Sequence, residues 1–209
     1  MKKITIEDFE RAFENRNPKS LGSYSYYSVL VPLVEKEGEI YILYEVRADS
    51  LKKQPGEVCF PGGKMEAGES AEECAVRETT EELNIPANSI RVIAQLDYMH
   101  TYSNFTMYSF LGIIDYEFVK NITVNHDEVK EVFLVPLSFL VETEPDIYYF
   151  DVTPKVEADF PYERINSKTG YNWRKGKSIV PIYQYGERVI WGLTGRITYN
   201  LIKIMNQKN

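Results

Sequence analysis

The apolar residues of the chain recur at two spacings, which predict helices in some segments and strands in others. Helical spacing over 6–14, following a capping Thr5, predicts a helix within residues 1–20. The same spacing predicts a terminal helix over 194–206. The apolar positions of these two helices are Ile6, Phe9, Phe13, Ile197, Leu201, Ile204 and Met205.

Short runs rich in β-branched and aromatic residues predict strands between these helices. The first two runs, 27–34 and 39–46, are joined at Glu37-Gly38 and predict a hairpin. A helical turn is predicted over 138–142. The remaining predicted strands cover 90–98, 106–115, 131–137, 147–152 and 179–185.

Two segments follow neither spacing and are predicted to be loops. Prolines and glycines punctuate 52–63. The segment 159–178 combines glycines and a proline with aromatic and basic residues. Long loops of this kind are uncommon unless they are functional or mobile, so 159–178 is a candidate substrate loop. A plain surface excursion is the alternative.

A helix is predicted to begin after Ser70, where Glu73 completes a capping box. It is expected to end near Asn84, a residue that tolerates the left-handed conformation common at helix ends. Seven glutamates and a single basic residue, Arg77, lie between Glu66 and Glu82. Oxygen-rich clusters of this kind are what Mg²⁺ and Mn²⁺ prefer. A solvated acidic face is the alternative, but the preceding glycine turn, Pro61-Gly62-Gly63, can bring a backbone carbonyl to the same cation.

Composition narrows the class of protein. With 209 residues and 44% hydrophobic content, residues 1–209 are expected to form a single domain. The net charge of −7 argues against nucleic-acid binding, which needs a basic surface. Cys59 and Cys74 make no disulfide framework, and no apolar run approaches the length of a membrane span. A cytoplasmic protein without membrane partners is therefore expected, and monomer and homodimer both remain open.

The spacing from Gly63 to Ile85 resembles the Nudix box. That pattern is G, five residues, E, seven residues, then R-E-U-x-E-E-x-G-U, where U is aliphatic. The sequence differs at Thr79, where an aliphatic residue is usual, and at Asn84, where glycine is usual. Thr keeps a methyl group, and Asn can adopt the same left-handed conformation. The matching positions are Gly63, Glu69, Arg77, Glu78, Glu81, Glu82 and Ile85.

The resemblance implies an α+β fold, an α/β/α sandwich with a mixed β-sheet between helices. It implies hydrolysis of a nucleoside diphosphate linked to another group, with Mg²⁺ or Mn²⁺ as cofactor. Arg77 and Glu69 would pair and hold the loop of Gly63 on the helix. The implied metal ligands are the carboxylates of Glu78, Glu81 and Glu82 and the carbonyl of Gly62.

The flanks of the box resemble a subgroup of this family, the coenzyme A pyrophosphatases. Residues 43–63 resemble its approximate pattern L-L-x-x-R-S/A-x-x-L-x-x-H-x-G-E-V-A-F-P-G-G, although Gln54 stands where the subgroup usually has histidine. The residues in register are Arg47, Leu51, Gly56, Glu57, Phe60, Pro61, Gly62 and Gly63. Gln can keep a hydrogen bond but does not titrate near neutral pH. Residues 190–197 resemble the subgroup's Trp-Gly-Thr entry into its last helix. The candidate substrate-binding residues are Arg47, Lys52, Lys53 and Gln54, although solvated surface charges explain the lysines equally well.

The attacking water needs a base, and Glu128 is the candidate because Nudix enzymes often place an extra glutamate in the corresponding loop. His126 is the alternative. The leading hypothesis is hydrolysis of coenzyme A or its acyl derivatives to 3′,5′-ADP and a phosphopantetheine product. Two alternatives are another diphosphate substrate, such as ADP-ribose or NADH, and a non-catalytic nucleotide-binding module.

Overall fold

The computed structural model describes residues 3–18, 21–22, 25–167 and 170–207. This part of the chain forms five α-helices and eleven strands. The helices are α1 Ile6–Phe13, α2 Ala71–Leu83, α3 Tyr116–Val119, α4 Leu137–Glu142 and α5 Gly192–Gln207. The strands are β1 Ser25–Lys36, β2 Glu39–Arg47, β3 Val58–Cys59, β4 Gly62–Lys64, β5 Ile90–Gln95, β6 Met99–His100, β7 Phe105–Ile114, β8 Val129–Pro136, β9 Asp146–Val152, β10 Gly176–Tyr185 and β11 Arg188–Ile190.

The hairpin predicted from the first two apolar runs is confirmed. Strands β1 and β2 pair in antiparallel fashion, with Lys36 opposite Glu39. Glu37 and Gly38 both have positive φ, at 54° and 81°. Two consecutive positive φ values give the turn whose twist matches the twist of the paired strands.

Eight strands form a mixed sheet, in which β1 runs parallel to β7 and antiparallel to β2. One face packs against α2 through a core that includes Leu30, Leu43 and Leu83. The other face packs against α5 through a core that includes Tyr44 and Leu201. The predicted sandwich of a mixed sheet between helices is therefore confirmed. Strands β9, β10 and β11 form a separate antiparallel sheet.

The predictions for α1 and α2 are confirmed to the capping residues. Thr5 and Ser70 each form a capping box, with Asp8 and Glu73 as the reciprocal partners. Asn84 ends α2 in the left-handed conformation, at φ 50° and ψ 41°. Helix α1 buries none of its residues, so its apolar side is open to solvent.

The prediction that 52–63 is entirely a loop is wrong. Strand β3 pairs with β2, and Gly62 pairs with Val29 of β1. A Cβ on Gly62 would overlap the backbone of Ser28 and Val29. Glycine at this position therefore permits the close approach of β4 to β1. Strand β10 also begins at Gly176, inside the predicted loop 159–178.

No helix in the described ranges is both long enough and apolar enough to cross a membrane.

Candidate active site

A cavity of about 940 Å³ opens where the glycine turn, α2, the start of α5 and strand β10 meet. Its volume lies toward the upper end for small-molecule pockets. Predicted site residues from four separate segments of the chain reach it. Those that line the cavity are Arg47, Lys53, Gln54, Gly62, Gly63, Glu78, Glu82 and Glu128.

The glycine turn lies directly against the acidic face of α2. The N–H of Gly62 donates a hydrogen bond of 2.8 Å to Glu82 Oε2. A Cβ on Gly63 would overlap the carboxylate of Glu78. Glycine at position 63 therefore lets the turn approach the Glu78 carboxylate at backbone distance.

Glu78 and Glu82 lie in an environment that opposes their ionisation. Glu82 is only 5% exposed, and burial raises its pKa to about 8 although the N–H of Gly62 acts in the opposite direction. Burial also raises the pKa of Glu78, with Arg77 opposing the shift. Carboxylates held this way gain stability when a cation neutralises them.

Arg77 organises a second group of carboxylates beside the cavity. Its Nε and Nη2 donate bonds of 3.1 and 2.9 Å to the two oxygens of Glu69. Its Nη2 and Nη1 also lie 3.0 and 3.1 Å from Glu78 and Glu81. The side chain of Glu81 is 54% exposed and is not among the cavity-lining residues. Hydrogen bonding by Arg77 lowers the pKa of Glu69 from 4.5 to about 2.

Replacing Glu69 with Gln is expected to lower the free energy of unfolding at neutral pH, because the bidentate pair with Arg77 is lost. Glu69 has a folded-state pKa below its ordinary value, so its contribution is complete above about pH 4.5 and is lost as the pH falls toward 2. Urea denaturation of the variant and wild type should show a difference at pH 7 that shrinks as the pH falls below 4.5. Glu66→Gln, an exposed change in the same loop, is the control. A difference that persists at low pH would contradict the pair.

Three of the four predicted substrate-binding residues, Arg47, Lys53 and Gln54, line the cavity. Arg47 ends β2, and its N–H donates to the carbonyl of Glu57 at 3.0 Å. Gln54 has a left-handed φ of 53°, and its Nε2 donates to Glu57 Oε2 at 3.2 Å. Lys53 lines the cavity, whereas Lys52 is exposed and is not among the lining residues.

Backbone hydrogen bonds hold the loop that places Glu128 at the cavity. The N–H of Ala48 donates to the carbonyl of Glu128 at 2.9 Å, which fixes the loop at the end of β2. The N–H of Asn125 donates to the carbonyl of Glu82 at 2.9 Å, which fixes it to the end of α2. His126 is exposed and is not among the lining residues.

Sequence reasoning missed two parts of this region. Tyr102 and Phe150 line the cavity, with their rings 5.5 Å apart in an edge-to-face arrangement. Glu45, in the middle of β2, is 1% exposed, and burial together with Glu82 raises its pKa well above the ordinary value. A single carboxylate inside an otherwise apolar strand was a signal available in the sequence. Within 159–178, the only described residue that lines the cavity is Ser178.

The donor set fits a divalent cation, although no three His, Cys, Asp or Glu side chains in the described ranges form a preassembled ligand set. Glu78 forms an ion pair with Arg77, and Glu82 accepts a hydrogen bond from the N–H of Gly62. The available groups are oxygen donors, which suit hard cations such as Mg²⁺ and Mn²⁺. One buried oxygen, Glu45 Oε1, has no hydrogen-bond partner in the structure.

Comparison with known proteins identifies the family. The NUDIX domain matches residues 26–153, which include the hairpin, the glycine turn and α2. The chain is 30% identical over 209 residues to the uncharacterized Nudix hydrolase NudL of Yersinia enterocolitica, covering 97% of this chain and 94% of that protein. The chain belongs to the Nudix hydrolases. It is a hydrolase that acts on diphosphate bonds. Nudix hydrolases generally use divalent cations.

Two further relatives of this Nudix hydrolase come from animals. It is 35% identical over 156 residues to the peroxisomal coenzyme A diphosphatase NUDT7 of Mus musculus, covering 72% of this chain and 64% of that protein. It is 30% identical over 185 residues to Nudix hydrolase 3 of Caenorhabditis elegans, covering 87% of this chain and 74% of that protein. This chain therefore spans a little less than two thirds of the mouse protein.

A solved structure shows the same fold. The crystal structure of a MutT/nudix family protein from Enterococcus faecalis matches with a TM-score of 0.53 at 17% identity, covering 98% of this chain and 69% of that one. At this identity the likeness supports the fold alone.

Proposed function

We propose that this Nudix hydrolase cleaves the diphosphate of coenzyme A or acyl-coenzyme A, using Mg²⁺ or Mn²⁺. The products are 3′,5′-ADP and the corresponding phosphopantetheine. The observation that carries the proposal is that the segment resembling the coenzyme A pyrophosphatases, residues 43–63, lines the cavity from Arg47 to Gly63. The 35% identity to a coenzyme A diphosphatase supports the same substrate.

The proposed cation ligands are the carboxylates of Glu78, Glu81 and Glu82 with the carbonyl of Gly62. When bound, divalent cations would neutralise charge on the diphosphate oxygens and lower the pKa of the attacking water. Burial of Glu82 and Glu78 supports their part, because both gain from a neutralising cation. Glu81 pairs with Arg77, so its proposed contact is through water or after a side-chain rotation.

In the reaction, the oxygen of a water molecule attacks one phosphorus of the diphosphate. The bond between that phosphorus and the bridging oxygen breaks, and the bridging oxygen leaves with the other phosphate. We propose Glu128 as the group that accepts the water proton, because it lines the cavity whereas His126 is not among the lining residues. Arg47 and Lys53 would bind phosphate oxygens. Gln54 would present an amide in place of the subgroup's histidine.

The size and walls of the cavity suit a long substrate. Aromatic side chains at Tyr102 and Phe150 lie in the same cavity as the carboxylates and offer flat apolar surfaces to a base or a pantetheine chain. ADP-ribose and NADH share the diphosphate but lack the pantetheine arm, and they are the competing substrates.

Product analysis with coenzyme A, ADP-ribose and NADH, with and without Mg²⁺ or Mn²⁺, tests the assignment. We expect 3′,5′-ADP and phosphopantetheine from coenzyme A only when metal is present. The kcat/KM for coenzyme A should exceed the values for ADP-ribose and NADH at least about tenfold, which corresponds to about 1.4 kcal/mol of transition-state stabilisation. Equal or better turnover of ADP-ribose would remove the coenzyme A assignment and leave the diphosphate chemistry intact.

A further inference from the structure

Glu45 is a buried carboxylate with a free oxygen. Its side chain is 1% exposed in the centre of the main sheet, and Oε1 has no hydrogen-bond partner in the structure. Its Oε2 lies 3.9 Å from the thiol of Cys59, which stands directly opposite in β3. A thiol is a weak donor, so this contact does not replace the water that burial removes.

The direction of Glu45 follows from strand alternation. Leu43, two residues earlier in β2, packs in the core against α2. Tyr44 and Val46 pack in the core on the opposite side of the sheet. Since side chains two apart point to the same face, Glu45 also points toward the α2 side, where Glu82 lies.

The charges that face Glu45 do not balance. Glu82 from α2 and Glu128 from the loop before β8 both disfavour its negative charge, whereas Arg47 and the weak hydrogen bond from Cys59 favour it. One guanidinium therefore faces three carboxylates. Arg47 itself leaves a buried Nε without a hydrogen-bond partner, so no bonded ion pair at that atom compensates Glu45.

We propose that Glu45 belongs to the divalent-cation site, as a carboxylate that supports cation binding from the sheet side of Glu82. Two observations point to a cation here: the surplus of negative charge and a buried carboxylate oxygen that no protein donor satisfies. Buried charges in proteins are normally paired or hold a metal. This inference rests on the cation site of the proposed function and not on the identity of the substrate.

Glu45→Gln tests the proposal because it keeps the shape of the side chain and removes its charge. Mn²⁺ binding to the intact protein would be measured without substrate, by titration calorimetry and by the metal-dependent rise in melting temperature. We expect the Mn²⁺ dissociation constant to rise at least about tenfold, as for other groups that support metal ligands. The metal-free variant is expected to melt no lower than wild type, because an uncompensated buried charge is gone.

Glu131→Gln is the matched control, because Glu131 lies opposite Val46 on the neighbouring strand and pairs with Arg188. It should leave Mn²⁺ affinity unchanged. If Glu45→Gln fails to fold, Glu45→Asp retains the charge and should bind Mn²⁺ more weakly than wild type.

Folded Glu45→Gln with wild-type Mn²⁺ affinity would overturn the proposal, and so would wild-type affinity in Glu45→Asp. An effect on the KM of substrate alone would also overturn it, since that would make Glu45 a support for Arg47 only. If wild type binds Mn²⁺ but prefers ADP-ribose, the coenzyme A assignment fails and the Glu45 result still stands.

Discussion

Glu82→Gln is expected to lower kcat/KM by at least about a thousandfold on any diphosphate that the enzyme accepts. The carboxylate is 5% exposed and lies beside Glu78 at the cavity, so its charge has no substitute at that point. A cation that stabilises transition-state charge contributes several kcal/mol, and each 1.4 kcal/mol corresponds to about tenfold in rate. Gln keeps an oxygen that can accept the N–H of Gly62, so the turn and the fold are expected to survive.

Steady-state rates at several Mg²⁺ concentrations provide the measurement, with circular dichroism to verify folding. Glu72→Gln is the matched control, because Glu72 lies in the first turn of the same helix and is exposed. It should retain wild-type activity. If folded Glu82→Gln keeps activity within tenfold of wild type, Glu82 is not a principal metal ligand.

Local signals explain why much of the fold could be predicted from the sequence. The hairpin depends on Glu37-Gly38, and the ends of α2 depend on Ser70 and Asn84, each of which acts within a few residues of its position. Capping boxes and left-handed helix ends are short-range chemistry, so one sequence suffices to predict them. Glu78, Glu81 and Glu82 of the box also lie on one helix, and their spacing alone places Glu78 and Glu82 on one face.

Contacts between distant segments were harder to predict. The glycines at 62 and 63 indicate a turn in the sequence, and only the packing of Gly62 against Val29 shows that they also form a strand. The two carboxylates that face Glu45 are brought in by α2 and by the loop before β8, so the residues next to Glu45 in the sequence do not indicate them. The cavity wall at Tyr102 and Phe150 likewise joins segments that lie 48 positions apart in the chain.

The contacts of Arg77 likewise divide into one that the sequence implied and others that depend on the fold. Its pairing with Glu69 was implied by the box, but its additional contacts with Glu78 and Glu81 depend on how the loop folds back on α2. One guanidinium thereby restrains two of the carboxylates that are proposed to hold cations. Cation binding would compete with Arg77 for these oxygens.

Gly63→Ala is expected to lower kcat/KM by about a hundredfold while leaving the fold intact. The added Cβ would overlap the Glu78 carboxylate, which is the far end of a flexible side chain and can move away. Gly63 does not have a positive φ in the structure, so Ala meets no backbone strain there. The carboxylate would therefore be displaced, and a misplacement of about 1 Å at a catalytic group can cost about a hundredfold.

The experiment separates this displacement from a general loss of stability. Gly176→Ala is the control, since a Cβ there would meet Val152 at 3.5 Å, an ordinary contact. Both variants should unfold within about 1 kcal/mol of wild type in urea, because neither change strains the backbone. Only Gly63→Ala should lose activity, and raising the Mg²⁺ concentration should restore part of it if the displaced Glu78 is a cation ligand. Full activity in Gly63→Ala would show that the close approach of the turn to Glu78 is not needed for catalysis.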